Sequence, residues 1–401
     1  MSSSTAVSEV GGERGATVLL SVGDASGDVY AADFVRELRA RVPGTRFLGL
    51  GGAEMAKAGV ELVVDQKDVA VSGLFELLPD LHRIVRAWRL LTSALRSARP
   101  DLVVLVDSSG LNIPFARRAQ RLGCPTLYYV SPQVWGWRTG RIRKIAQRVN
   151  QLAVIFPFEP EVYAGSGVAV EYVGHPLLER LRDVTEQLDR DEARRRLGLP
   201  GDARIVALLP GSRGSEIRHL LPLHLEVARV LHARDPRIHF VMPRAASIAR
   251  DTLEAGIREA GLPSLLRVEI VEGHPQAVMR AADVALLKPG TSTLEAALLD
   301  CPAVVAARTN PFTAWLLRRL VKLDTLTMPN LIAGERIVPE FLQEEAMPED
   351  VARAVLALLE GPARDAQREG FAAVRAALAK GGAAKRAAEL AAEMLGGRLP
   401  A

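Results

Sequence analysis

Short apolar runs alternate along the chain with longer segments in which apolar residues recur at helical spacing. The first series of short runs lies at residues 17–22, 47–50, 102–106, 126–130, 152–156 and 171–173. Such alternation predicts parallel strands joined by helices, which is an α/β fold. A charged segment at residues 189–197 then predicts a helix that ends at Gly198 and Pro200.

After this helix the strand pattern starts again. The second series lies at residues 204–209, 238–242, 268–271, 284–287 and 303–306. Two doubly wound, Rossmann-type halves with a cleft between them are therefore predicted. We place the halves at residues 16–180 and 181–365, after a disordered tail at 1–15 and before helices at 366–401. Those last helices are expected to pack back on the core or on a partner subunit.

The composition is that of an ordinary globular protein. Of 401 residues, 48% are hydrophobic and 24% are charged, which argues against disorder and against a fibrous repeat. A net charge of +4 favours anionic partners, but it is too small for the basic stripes that bind duplex nucleic acid. We therefore expect no nucleic-acid partner.

Neither a metal site nor a transmembrane segment is predicted. Cys124 and Cys301 belong to no Cys-x-x-Cys pair, and helix capping explains Asp189-Arg-Asp191 better than metal binding does. No apolar stretch approaches the roughly 18 to 20 residues that span a bilayer. We expect no cofactor and a chain that touches a membrane without crossing it.

Polar residues directly follow several predicted strands, where ligands bind in open α/β sheets. The loop after the first strand holds Asp24, with Ser26 predicted to cap the next helix and Asp28 to favour its positive end. The spacing of Gly23 and Gly27 does not match the dinucleotide-binding pattern Gly-x-Gly-x-x-Gly.

Asp107 comes directly after the buried run 102–106, with Ser108, Ser109 and Asn112 close behind it. A carboxylate at the end of a buried strand is costly unless it has a partner or a function. Desolvation would raise its pKa and make it a better proton acceptor from a sugar hydroxyl. The structural alternative is that it accepts hydrogen bonds from loop amides.

In the second half, the loop at residues 208–216 reads Leu-Leu-Pro-Gly-Ser-Arg-Gly-Ser-Glu. Gly211 permits close approach of an anion, Ser212 offers a hydroxyl, and Arg213 offers a guanidinium at the start of a helix. Taken alone, this loop is also what an ordinary strand-to-helix turn looks like.

A second loop of the same half, at residues 288–295, has similar features. The amides of Gly290, Thr291 and Ser292 suit a phosphate, and Glu295, one turn into the helix, suits ribose hydroxyls. Either loop alone is a good helix start. The two together predict a site for a nucleoside diphosphate.

Tryptophan and positive charge concentrate near residues 131–144, which include Trp135, Trp137 and Arg138. These side chains either pack a helix start or form an aromatic platform with a cationic rim for a phosphorylated sugar or an anionic lipid headgroup.

In residues 77–96, apolar residues recur at helical spacing with Arg83 and Arg86 among the basic residues between them. A basic amphipathic helix of this kind often lies on a membrane surface. The alternative is a surface helix that packs on its own sheet.

Six motifs that follow one another in a fixed order resemble the lipid-A-disaccharide synthase family. They lie at residues 23–28, 129–138, 173–176, 208–216, 290–295 and 328–331, and the resemblance covers about residues 16–390. It implies an inverting glycosyltransferase of the GT-B fold that joins UDP-2,3-diacylglucosamine to 2,3-diacylglucosamine 1-phosphate (lipid X). The products would be the β-1,6-linked disaccharide 1-phosphate of lipid A and UDP.

The resemblance also implies a cellular setting. It suggests a cytoplasmic protein of Gram-negative envelope synthesis that is peripherally bound to the anionic inner membrane and forms a homodimer. The first half would then face the acceptor and the membrane, and the second half would bind the UDP-sugar.

Carried over by position, Asp107 is the implied general base for the acceptor's 6-hydroxyl, and Arg213 the partner of the departing diphosphate. Asp24 is a further implied catalytic residue. Family members commonly have Glu at the position of Asp24 and a second Asp at that of Gly110, which leaves Asp107 as the favoured base. Residues implied to hold the nucleotide are Gly211, Ser212, Gly290, Thr291, Ser292, Glu295, Asn330, Gln343 and Glu344.

Two other functions remain compatible with these motifs. One is another UDP-sugar protein of the same fold, such as a UDP-N-acetylglucosamine 2-epimerase or a peptidoglycan glycosyltransferase, which would lack the segment of Trp135 and Trp137. The other is a nucleotide-sugar-binding protein without turnover.

Overall fold

The computed structural model describes residues 15–68, 77–133, 140–310, 319 and 324–397. Its strands are β1 (Thr17–Val22), β2 (Arg46–Gly51), β3 (Glu61–Asp65), β4 (Leu102–Val106), β5 (Thr126–Tyr129), β6 (Gln151–Val154), β7 (Ala169–Tyr172), β8 (Arg204–Leu209), β9 (Ile238–Arg244), β10 (Val268–Glu272), β11 (Val284–Leu287), β12 (Ala303–Ala307) and β13 (Glu340–Leu342). Its helices are α1 (Ala25–Arg41), α2 (Ala53–Lys57), α3 (Leu77–Ala98), α4 (Ser109–Arg121), α5 (Gly140–Ala146), α6 (Glu159–Val162), α7 (Pro176–Gln187), α8 (Arg190–Leu197), α9 (Gly214–Arg234), α10 (Arg250–Glu259), α11 (Pro275–Ala281), α12 (Thr291–Leu298), α13 (Met328–Ala333), α14 (Pro348–Leu359), α15 (Pro362–Ala377) and α16 (Ala383–Leu395).

The strands form two parallel sheets. The first has the order β3-β2-β1-β4-β5-β6-β7 and the second the order β10-β9-β8-β11-β12-β13. Each sheet therefore changes its direction of growth beside its first strand, between β1 and β4 and between β8 and β11. The doubly wound α/β architecture predicted from the alternating runs is confirmed, and ligands of such sheets bind outside the strand ends at this switch point.

Strand register brings the loops at each switch point level with one another. Val22 of β1 pairs with Val106 of β4, and Leu209 of β8 pairs with Leu287 of β11. The loops that carry the predicted site residues therefore start side by side in each sheet.

Two strands have no counterpart in the sequence prediction. β3 and β13 each lie at the edge of a sheet, and most of their side chains are only partly buried. Their apolar runs, residues 62–64 in β3 and 341–342 in β13, are only three and two residues long and each follows a glutamate, so the apolar pattern alone does not reveal them.

One hydrophobic core extends through both halves. It includes Val104 of the first sheet, Leu287 of the second and Ala387 of α16. The helix α16 returns to the first half and packs along α1. Its Arg386 forms a bidentate ion pair with Glu171 of β7, at 2.6 and 2.9 Å. The division of the chain into domains at 180/181 and 365/366 stays a prediction.

Among the described helices, none combines the length and the low charge that crossing a bilayer requires. Cys124 and Cys301 are both buried and form no disulfide with each other.

Candidate active site

A cavity of about 1110 Å³ opens between the carboxyl ends of the two sheets. The loops after β1 and β4 form one wall, and the loop after β8 and the start of α12 form the other. Five of the predicted site residues line it together, namely Asp24, Asp107, Ser212, Arg213 and Thr291. The predicted cleft therefore exists, and both halves contribute to it.

The backbone at Asp107 is strained. Asp107 and Ser108 have φ angles of 45° and 44°, and Val130, at the end of the neighbouring strand β5, has a φ of 57°. Non-glycine residues in this left-handed region cost roughly 1–2 kcal/mol each. Such strain persists only where surrounding contacts determine the conformation.

Hydrogen bonds to the Asp107 backbone supply those contacts. The buried Asn112 of α4 donates from Nδ2 to the carbonyl oxygens of Val106 and Asp107, each at 2.9 Å. The Tyr128 hydroxyl donates to the same Asp107 oxygen at 2.5 Å, and the Asp107 amide donates to the Val130 carbonyl at 3.1 Å. The carboxyl group of Asp107 is thus held toward the cleft by the protein alone.

The carboxyl group of Asp107 is poised to exchange a proton near neutral pH. Burial, the negative charge of Asp24 and a hydrogen bond with Asp24 raise the pKa of Asp107 to about 7, against the opposing effect of the Ser108 amide. The prediction that burial at the strand end raises this pKa is confirmed. A base works best when its pKa lies near the working pH.

Asp24 caps helix α1, where its carboxylate accepts a hydrogen bond from the Gly27 amide at 2.6 Å. The prediction that Ser26 provides this cap is wrong. Asp28 lies in the first turn of α1, as predicted, and its buried side chain also reaches the start of α2. Its carboxylate accepts hydrogen bonds at 2.7, 2.9 and 3.2 Å from the amides of Gly52, Glu54 and Met55.

His175 lies at the floor of the cavity, directly before α7. Its Nδ1 accepts a hydrogen bond from the Leu177 amide at 3.1 Å, so the proton of the neutral ring lies on Nε2. Burial lowers the pKa of His175 to about 3. The ring therefore stays neutral near pH 7 and serves as a donor, which leaves the carboxyl groups as the bases of this cavity.

The loop after β8 differs from its predicted form. Its Ser212 and Arg213 amides donate to the Glu216 carboxylate at 2.9 and 3.3 Å, an interaction that the sequence pattern did not predict. Gly211 has a φ of 136°, and a Cβ there would lie 2.6 Å from the Cβ of Glu216. Glu216 also pairs with Lys288 at 3.3 Å. The small residues of this loop therefore make room for the Glu216 carboxylate. The Arg213 side chain, which is 65% exposed, reaches the cleft.

The loop after β11 places Gly290 before α12, with a φ of 138°. Thr291 lines the cavity, and Ser292 beside it is partly buried. Glu295 lies one turn further and accepts a hydrogen bond from Gln276 at 3.0 Å, and burial raises the pKa of Glu295. Contact of these residues with a nucleotide stays a prediction.

The remaining predicted nucleotide residues are held by other parts of the protein. Asn330 is buried and exchanges two hydrogen bonds with the Val338 backbone, at 2.9 and 2.7 Å. Gln343 accepts a hydrogen bond from the Thr309 amide at 3.2 Å and shares a short 3-10 turn with Glu344. These three lie outside the described cavity lining, and their role in binding stays a prediction.

Arg83 and Arg86 are exposed on α3, and Arg83 pairs with Asp68 at 3.3 Å. The predicted residues Trp135, Trp137 and Arg138 lie outside the described residues.

Several lining residues were not predicted. They are Tyr30, Ile84, Trp88, Gln133, His175, Ser247 and Met328. Gln133, His175 and Met328 carried a visible signal, since each belongs to a motif of the resemblance, whereas the others reach the cavity by folding.

Within the described ranges, no three His, Cys, Asp or Glu side chains come together as metal ligands.

The chain matches known proteins over most of its length. A family model described as lipid-A-disaccharide synthetase matches residues 18–394. A lipid-A-disaccharide synthase from Myxococcus xanthus is 41% identical over 379 residues, which cover 94% of this chain and 97% of the relative. Another from Geobacter sulfurreducens is 39% identical over 380 residues, with the same shares.

Solved structures with much lower identity share the fold. A UDP-GlcNAc 2-epimerase from Neisseria meningitidis has a TM-score of 0.63 at 14% identity, and the match covers 94% of this chain and 100% of the epimerase chain. The calicheamicin glycosyltransferase CalG4 has a TM-score of 0.60 at 18% identity, over 96% and 100% of the two chains. These similarities show the GT-B fold and nothing further about chemistry.

Proposed function

This chain belongs to the lipid-A-disaccharide synthase family of glycosyltransferases, and we propose that it joins UDP-2,3-diacylglucosamine to 2,3-diacylglucosamine 1-phosphate. The products are the β-1,6-linked disaccharide 1-phosphate and UDP. The UDP-sugar epimerase remains similar in fold alone, at 14% identity.

One observation carries the proposal. A pair of carboxyl groups on the wall of the first half, Asp24 and Asp107, shares a cavity with Arg213 and Thr291 on the wall of the second half. Transfer of a sugar from a nucleoside diphosphate to a hydroxyl needs a base on one side and positive charge or donors on the other. The cavity has this polarity.

Asp107 is the general base in this proposal. Its carboxylate takes the proton of the acceptor's 6-hydroxyl as that oxygen attacks the anomeric carbon of the donor. The bond from this carbon to the diphosphate oxygen breaks in the same displacement, and its electron pair leaves with UDP. One displacement from the opposite face inverts the anomeric configuration, which accounts for a β-linked product.

Arg213 and the amino-terminal end of α12 stabilise the charge that develops on the departing diphosphate. Arg213 precedes α9 and points into the cleft, and Thr291 begins α12. A hydrogen bond to a charged group contributes on the order of 1.5–3 kcal/mol. His175, which also lines the cavity, adds a neutral N–H donor.

The proposed acceptor is a lipid, and the first half offers a surface for an anionic membrane. Arg83 and Arg86 are exposed on α3, whose neighbouring Ile84 and Val85 line the cavity. A basic surface beside the cleft would hold the protein at the cytoplasmic face of the inner membrane, where the acceptor lies. A homodimer remains part of the proposal on family grounds.

The experiment that tests this function mixes the purified chain with both acylated substrates and measures UDP and disaccharide together. We expect equal amounts of the two products. Release of UDP without disaccharide would indicate hydrolysis, and binding of the donor without either product would indicate a binding protein. Either result would refute the proposal.

A further inference from the structure

A second, smaller cavity of about 370 Å³ lies between α3 and α4. We call it the α3–α4 pocket. It is lined by Trp88, Arg89, Thr92, Ser93, Arg96 and Arg118. Trp88 lines both this pocket and the active-site cavity, so the indole side chain separates the two. Nothing in the proposed chemistry uses the other five side chains.

The pocket is strongly positive. Three of its six lining residues are arginines, and in the part of the chain that the structure describes, Arg89, Arg96 and Arg118 form no ion pair with a carboxylate. The guanidinium of Arg118 lies 5.3 Å from the centre of the Trp88 ring, which holds it in place. The sequence around these helices is also basic, since residues 81–150 contain thirteen Lys and Arg and two acids, Asp101 and Asp107.

Thr92 provides an independent observation. Its side chain is 7% exposed, and its Oγ1 has no hydrogen-bond partner among the described residues. A buried hydroxyl without a partner costs free energy, and such groups in native proteins usually have a partner in water or a ligand. Thr92 lines the same pocket as the three unpaired guanidinium groups.

We propose that the α3–α4 pocket binds a phosphate group. Guanidinium and hydroxyl groups are hydrogen-bond donors, and a phosphate offers several acceptor oxygens with negative charge. The lining has no carboxylate or amide oxygen for a cation or a neutral sugar. Its single aromatic side chain, Trp88, already stacks with the Arg118 guanidinium.

The position of the pocket links it to the cleft. On α4, Pro114 lines the active-site cavity, and Arg118, about one turn later, lines the pocket. On α3, Ile84 and Val85 line the cavity, whereas Arg89 and the residues after it line only the pocket. The groove between the two helices therefore runs from apolar side chains to basic ones. A phosphate in the pocket belongs to the acceptor substrate, to a membrane lipid headgroup or to free phosphate, and only the first of these rests on the proposed function.

The test compares two variants of equal net charge. The pocket variant carries Arg89→Gln, Arg96→Gln and Arg118→Gln, and the control carries Arg99→Gln, Arg117→Gln and Arg121→Gln outside the pocket. Binding of inorganic phosphate is measured by calorimetry for both and for the parent protein. We expect the control to bind like the parent and the pocket variant to bind about tenfold more weakly or worse, since it loses charged hydrogen bonds.

Two further measurements identify the source of the phosphate. If the acceptor supplies it, the pocket variant has a raised KM for the acceptor with kcat little changed. If a headgroup supplies it, the variant loses binding to phosphatidylglycerol vesicles relative to the control while the acceptor KM stays the same. If the pocket variant differs from the control only in weaker binding of inorganic phosphate, the pocket binds free phosphate.

Equal phosphate affinity, vesicle binding and acceptor KM in the pocket variant and the control would overturn the proposal. So would a parent protein that binds no phosphate. Arg118 packs on Trp88, and thermal unfolding checks that the triple variant is folded. If it is not, Arg89→Gln with Arg96→Gln, compared with Arg99→Gln with Arg117→Gln, gives the same test.

Discussion

At the scale of single residues, the proposed chemistry depends on how Asp107 is held. Its backbone is left-handed, and Asn112 and Tyr128 bind its carbonyl oxygen. Its side chain meets a second carboxyl group, that of Asp24, inside a cleft that partly excludes water. The protein therefore uses folding energy to present a carboxyl group with a pKa about 7, which an exposed aspartate would not have.

The pH dependence of turnover should report this pair. Asp107 must be ionised to accept a proton, so we expect activity to rise with pH through a midpoint near 7. Asp24→Asn removes the neighbouring negative charge while preserving a helix-capping side chain. The midpoint of kcat against pH should then move to lower pH.

The matched control is Asp189→Asn, because Asp189 also caps a helix, accepting from the Glu192 amide at 2.8 Å, but lies outside the cleft lining. It should leave the midpoint unchanged. An unchanged midpoint in Asp24→Asn would show that Asp24 does not set the pKa of the catalytic group.

Asp107→Asn should separate catalysis from stability. Asparagine tolerates the left-handed backbone, so the fold is kept, but turnover should fall by at least about a hundredfold through loss of the base. Affinity for UDP should change little. Calorimetric binding of UDP alongside the turnover assay checks both, and turnover near that of the parent would remove Asp107 as the base.

The same substitution should stabilise the protein above pH 7. The folded pKa lies above the ordinary value of 3.8, so ionising Asp107 costs the folded state stability that it retains at low pH. We expect Asp107→Asn to gain about 1–2 kcal/mol in the free energy of unfolding at pH 8, because the cost of the raised pKa is reduced by solvent screening in the cleft. The gain should vanish near pH 4, and urea unfolding at both pH values measures it.

Arg213→Ala should weaken both UDP binding and turnover. The side chain is 65% exposed and points into the cleft, so its removal leaves the fold intact while the diphosphate loses a charged partner. We expect each quantity to fall about tenfold or more. Arg218→Ala, an exposed arginine of α9 outside the cavity lining, is the control. Equal activity in the two variants would place the diphosphate elsewhere.

At the scale of elements, α3 has two roles in the proposals. Its Ile84, Val85 and Trp88 line the active-site cavity, and its Arg83 and Arg86 are exposed. The ion pair of Arg83 with Asp68 joins two side chains that are about half exposed, so it contributes little to stability. The amphipathic pattern in the sequence thus corresponds to a helix with an active-site face and a basic face.

Reversing the basic face should release the protein from anionic vesicles. We expect Arg83→Glu with Arg86→Glu to weaken binding to phosphatidylglycerol vesicles about tenfold or more at low salt, because each basic residue contributes about 1 kcal/mol near such a surface. Binding of the parent should fall steeply with salt. Arg229→Glu with Arg267→Glu, exposed residues of the second half, should bind like the parent. Equal vesicle binding by both double variants would refute the surface role of α3.

At the scale of the whole molecule, the two halves share one hydrophobic core, and α16 packs into it. The helix follows two helices of the second half and then packs along α1 of the first. Its Ala387 and Ala388 are fully buried, and its Arg386 pairs with Glu171. Because the last helix belongs to the core of the first half, unfolding of either half should disrupt the other.

Ala388→Glu should test this connection. A charge placed without a partner in the α16 interface should cost about 3 kcal/mol or more and lower the Tm of the whole protein by several degrees. Lys385→Glu, an exposed position on the same helix, should have little effect. If calorimetry showed two transitions, with the first half alone destabilised, the shared core would not be cooperative.

Much of the fold could be read from the sequence because its information is local. The bounds of β1, β4, β8 and β11 match the predicted runs, since buried parallel strands are continuous stretches of apolar side chains. β3 and β13 could not be predicted in this way, because each has an apolar run of only two or three residues after a glutamate.

The family, the α/β class and the loops that carry the polar residues can be predicted from the amino-acid sequence alone, because each depends on residues close together in the chain. Three features follow only from the packed structure: burial and Asp24 raise the pKa of Asp107, Glu216 accepts the amide hydrogen bonds after β8, and burial keeps His175 neutral in the cavity. Desolvation and Coulomb energy depend on distances between groups that lie far apart in sequence, and those distances exist only once the sheets have packed.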